Sequence, residues 1–107
     1  MPKYLCEAGY TADGLQGLVT DTAAGRKAAV QKAIKALGGK LESFHFGFGD
    51  SDVVLILDLP DNVAAAALAL AVGTTGLVQV RTTVLLTVEE MDKAIKIKSK
   101  YRAPGAE

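Results

Sequence analysis

Residues 52–72 read DVVLILDLPDNVAAAALALAV, and the architecture turns on this stretch. Its opening, 52–59, is nearly continuous in aliphatics, the pattern of a central strand covered on both faces. Pro60-Asp61-Asn62 then starts a helix, with Asp61 or Asn62 offering the capping oxygen. The helix over 63–72 contains no polar side chain. A helix that is apolar all round must be covered all round. In a domain of 107 residues the second covering surface is most easily another subunit.

Just before this stretch, residues 41–48 read as a strand in which Glu42, Phe44, Phe46 and Phe48 alternate with Leu41, Ser43, His45 and Gly47. Gly49-Asp50-Ser51 turns this strand into 52–59. Further upstream, 25–37 carries an apolar stripe of Ala29, Val30, Ala33, Ile34, Ala36 and Leu37. Arg26, Lys27, Gln31, Lys32 and Lys35 line the opposite side, and Gly38-Gly39 supplies the stop. The segment 11–25 is rich in glycine and threonine, so its helix is weak or broken, either a lid or an irregular connection. Residues 3–10 form the first strand, with Tyr4, Cys6, Ala8 and Tyr10 on one face, and Thr11 is the N-cap after it. Downstream, Gly73-Thr74-Thr75-Gly76 leads into a strand over 77–86. Thr87-Val88-Glu89-Glu90 is a capping box opening a last helix over 88–99. The tail 100–107 frays or drapes on a neighbour.

The order β-α-β-β-α-β plus a helix is the ferredoxin-like arrangement, an α+β fold with one antiparallel sheet and an added C-terminal helix, here one domain over 1–107. By analogy with that layout, the open sheet face closes against a second subunit, as in a dimeric α+β barrel. Composition narrows the function classes. Twelve basic residues balance twelve acidic ones, so no surplus of positive charge exists to bind nucleic acid. Half of the chain is hydrophobic, which excludes disorder. No apolar run reaches about 18 residues, so no membrane span is expected, and 1–10 lacks the layout of a secretory signal. The expectation is a soluble, cytoplasmic homo-oligomer. One cysteine excludes a disulfide framework, and one histidine excludes a multi-histidine metal site within a chain. No cofactor or metal is expected.

Gly49-Asp50-Ser51-Asp52-Val53-Val54 followed by Leu59-Pro60-Asp61 resembles the GYD domain family of small prokaryotic proteins. Tyr10-Thr11 with a following Gly-Leu, Arg26, Leu37-Gly38-Gly39-Lys40, and Thr87 with Glu90 also fit that pattern. The resemblance covers about residues 3 to 100. It implies a ferredoxin-like, oligomeric α+β protein and carries no established activity. Ser51 stands where the family signature has tyrosine, so no role of that phenol transfers.

If Phe44, Phe46 and Phe48 lie under the helices, the open face presents Ser43 and His45, with Lys3 and Glu7 on the first strand. Asp52, Asp58, Val54 and Ile56 join them from the third strand. Gln79, Arg81 and Thr83 join from the fourth, leaving Val78, Val80, Val84 and Leu86 beneath the helices. Strand order 4-1-3-2 sets Glu7 beside Arg81. Glu7, Ser43, His45 and Arg81 admit two readings. They bind a small polar or anionic ligand, with Arg81 as anion clamp and Glu7 or His45 as acid/base, or they are paired charges fixing an interface between subunits. Cys6 reads as a small buried hydrophobe. The basic run Lys93, Lys96, Lys98, Lys100 and Arg102 suits a solvated helix end. The function expected is a homo-oligomeric binding or structural module. The alternative is a cofactor-independent oxygenase or isomerase acting on a small organic molecule between sheet and helices.

Overall fold

The computed structural model describes all 107 residues. In chain order these build β1 (Lys3–Tyr10), α1 (Ala12–Ala36), β2 (Lys40–Phe46), β3 (Val53–Asp58), α2 (Asn62–Gly73), β4 (Val78–Leu85) and α3 (Val88–Lys96). The strands pair antiparallel in the order β2-β3-β1-β4, the α+β arrangement expected from the sequence. Alternation decides which side of the sheet is covered. Tyr4, Cys6 and Ala8 on β1 and Val53, Leu55 and Leu57 on β3 are buried with Ile34 of α1, Leu59 and Ala65 of α2. The Tyr4 ring is fully buried, and its hydroxyl donates to Asn62 Oδ1 at 2.7 Å, so the polar tip is satisfied.

Local rules of capping hold at each helix. Thr11 and Asp61 accept from the backbone N–H of Gly14 and Ala64, and Thr87 with Glu90 completes a capping box on α3. Asp61 is therefore the cap of α2, and Asn62 serves Tyr4 instead. Gly38 ends α1 at φ +80°, a conformation glycine adopts without steric cost. The 11–25 segment is helical on both sides of one break at Thr22 (φ 69°, ψ 163°). Its hydroxyl accepts from Gly25 N at 3.2 Å and so caps the second half of α1.

Three expectations change. A bulge between Leu41 and Ser43 sets Leu41 opposite the buried Leu57 and Ser43 opposite Ile56. Leu41 thus joins Phe44 against the core, and Glu42 turns to the open face, the reverse of simple alternation. Val84 and Leu86 are not beneath the helices: they stand 50% and 54% exposed, because α3 leaves the sheet instead of folding back over it. Finally, β3 is covered on one face only, with Val54 and Ile56 half-buried on the other.

The molecule measures 59 × 32 × 23 Å, with a radius of gyration of 17.1 Å. A compact chain of this length would have about 13 Å. No helix is long and apolar enough to cross a membrane.

Candidate functional site

The four residues singled out in the sequence all lie on the strands with side chains on the open face. Glu7 and Arg81 are direct cross-strand partners on β1 and β4, with Arg81 Nη2 3.8 Å from Glu7 Oε2. Arg81 also donates to Ser51 Oγ at 3.0 Å, which ties the turn between β2 and β3 to β4. Both partners are substantially solvated, and such a pair stabilises the fold by roughly 0–1 kcal/mol. Ser43 is half-buried opposite Ile56, and His45 is exposed opposite Val54. Val54 separates His45 from Glu7 by two strand spacings, about 10 Å. The structure therefore brings Glu7 and Arg81 together and leaves His45 apart. At the other end of this face, Lys3 Nζ lies 2.9 Å from both Glu42 and Asp58, whose hydrogen bonds raise its pKa. Leu5, Val54 and Ile56 fill the space between the two charged ends.

The deeper concavity is on the other side of the sheet. α1 packs over β2 and β1 while α2 packs over β4, and a cleft of about 150 Å³ opens between them. Cys6, Val53 and Leu55 form its floor, Val30 and Ala33 one wall, and Leu68 and Val72 the other. Fourteen of its sixteen lining residues are hydrophobic; the exceptions are Arg26 and Thr82. Arg26 also lines the neighbouring space beside Tyr10, Gly14 and Leu18, so its side chain marks one mouth of the cleft. One Arg26 nitrogen, Nη1, lies 3.4 Å from Asp21 Oδ2. A guanidinium has five N–H donors, so further acceptors can be served. The Cys6 thiol faces Thr82 Oγ1 at 3.7 Å, and burial pushes its pKa up, which keeps it neutral and unreactive. No cluster of three or more His, Cys, Asp or Glu side chains is placed to hold a metal ion.

Arg26 is the residue that sequence reasoning assigns to the wrong side. Its charge groups it with the lysines of the solvated face, but it precedes Ala29, Val30 and Ala33 by three, four and seven residues. That spacing sets all four on one helical stripe, and the stripe lines the cleft. The same spacing, read without regard to charge, finds it.

No curated protein and no solved structure matches the chain. The family model described as the GYD domain matches residues 4–95. With most of its length inside that match, this chain belongs to the GYD domain family.

Proposed function

We propose that this protein is a self-assembling module that binds a small organic acid, a mostly apolar molecule of about one ring, in the cleft between its sheet and its two long helices. The observation that carries this reading is the cleft itself, apolar on nearly every side with one arginine at its mouth. A lined apolar space of about 150 Å³ is large enough for a benzene-sized molecule. Sites of this kind draw affinity from apolar walls and orientation from a few polar groups. Arg26 supplies a guanidinium suited to a carboxylate, and Thr82 a hydroxyl beside the Cys6 thiol. Glu7, Ser43, His45 and Arg81 lie on the far face of the sheet, where an apolar centre between charged ends suits contact with a second copy.

Self-association is supported by area. The chain exposes 7730 Å², about 2,000 Å² more than the roughly 5,700 Å² typical of a folded monomer of this mass. An excess of that size is the scale on which obligate dimers bury surface.

Calorimetric titration with benzoate, benzyl alcohol and acetate tests the ligand reading. Benzoate is expected to bind most tightly of the three. Ala33→Phe, which fills the cleft from an exposed helix position, is expected to abolish the heat. Equal binding of benzoate by the wild type and the Ala33→Phe variant would place the ligand elsewhere.

A further inference from the structure

The last element, α3 with the segment around it, stands apart from everything else in the molecule. Val88, Met91 and Ile95 recur at helical spacing and are all exposed, as are Leu86 before them and Ile97 after. α3 has nine residues, below the roughly 12–15 at which an isolated helix becomes even marginal in water. Its capping box and its lysines near the C-terminal end favour the helix locally, but an amphipathic helix this short persists by burying its apolar stripe. Nothing in the same chain covers that stripe.

A matching surface exists at the opposite end of the sheet. Between α2 and the beginning of β4 lies an open groove lined by Ala66, Ala69, Leu70, Gly73, Val78 and Val80, with Gln79 its one polar side chain. Its helix side belongs to α2, which has no polar side chain after Asn62, and Leu70 is 67% exposed there. β4 begins opposite Tyr10 and ends opposite Lys3, so the Val78 end of the groove and the root of the arm are separated by the strand's length, about 25 Å. α3 spans only about 14 Å and does not pack onto its own groove. A two-fold axis that runs the β4 strands of two copies antiparallel past each other removes this separation. The end of one β4 then meets the beginning of the other, and each arm meets the other copy's groove, a closed and self-complementary exchange.

From these observations we infer that the arm from Leu86 to Ile97 docks its Val88–Met91–Ile95 stripe into the α2/β4 groove of a second copy. The groove carries no charged side chain, so the pairing is one of apolar surfaces, with Lys93 and Lys96 of the arm left to solvent. The excess of about 2,000 Å² of exposed surface over a compact monomer is enough for such an exchange. This inference rests on the proposed self-assembly and adds to it the segments that touch.

Sedimentation equilibrium of the full chain and two variants tests it, with circular dichroism to verify folding. The wild type is expected at twice 11.1 kDa, and Ile95→Lys and Leu70→Lys each at the single-chain mass. Both positions are exposed within one chain, so neither substitution should unfold it. A third protein carrying Cys6→Ala, Ile95→Cys and Leu70→Cys is expected to form a disulfide between chains on mild oxidation. A monomeric wild type would overturn the assembly itself. A dimer that survives both lysine substitutions would overturn the arm while leaving assembly standing. A disulfide formed within one chain would assign the groove to the chain's own arm.

Discussion

Arg26 and Asp21 share a single stretched contact of 3.4 Å at the mouth of the cleft, and under the proposed function Asp21 competes with a ligand carboxylate for the guanidinium. Removing the guanidinium with Arg26→Ala is expected to weaken benzoate about tenfold, the loss of roughly one charge-assisted hydrogen bond, and to leave benzyl alcohol unchanged. Asp21→Asn removes the competing carboxylate and is expected to strengthen benzoate; titration calorimetry reads both. A second pair of residues reports on packing. Alanine normally stabilises a helix by about 0.5–1 kcal/mol relative to glycine. At Gly17 the added methyl group would meet open space, so Gly17→Ala should gain that amount. At Gly14 it would collide with the Leu77 carbonyl, which also accepts from Thr11 N, so Gly14→Ala should instead cost about 1–3 kcal/mol. Urea unfolding distinguishes the signs. In the sequence alone both glycines are equal weaknesses of one helix, because the difference lies at Leu77, just before β4 and more than sixty residues away.

Among the elements, most of the architecture is legible in the sequence. The aliphatic run and the apolar helix of 52–72 are β3 and α2, and Thr11, Asp61 and the Thr87–Glu90 box all cap helices. What alternation does not reveal is the bulge at Leu41/Ser43, which has no glycine or proline to announce it. Nor does it reveal that the helices part, since the splaying of α1 and α2 depends on packing rather than periodicity. Strand order and parity pair Glu7 with Arg81 correctly. The helix-side cleft stays hidden because its walls are mostly alanine, valine and leucine, residues that read as core. The capping box of α3 carries a pH dependence. Hydrogen bonds from the backbone and side chain of Thr87 hold the Glu90 carboxylate below its usual pKa of 4.5. A depressed pKa means the cap's contribution is present above the unfolded-state value and is lost as pH falls through the lower, folded-state one. Protection of the first α3 amides, followed by NMR, should therefore fall on acidification below that usual value, and Glu90→Ala should show the reduced protection already at neutral pH.

Across the molecule, the exposed area, the detached arm and the open sheet face share one physical cause. A chain that is 50% hydrophobic buries only 10 of its 107 residues by itself, so much of its apolar surface stays exposed in the single chain, as the proposed self-assembly requires. The cleft differs from those surfaces because it is concave, is floored by the core strands and has a cation at its edge. That difference separates binding of a ligand from burial by a partner, and it can be read residue by residue. Titration of isotopically labelled protein with benzoate, followed by amide chemical shifts, makes that reading. Shifts are expected to concentrate at Cys6, Arg26, Val30, Ala33, Leu68 and Thr82, with Ser43, His45 and Arg81 unmoved. Shifts centred on the open-face residues, or none at millimolar benzoate, would contradict the account.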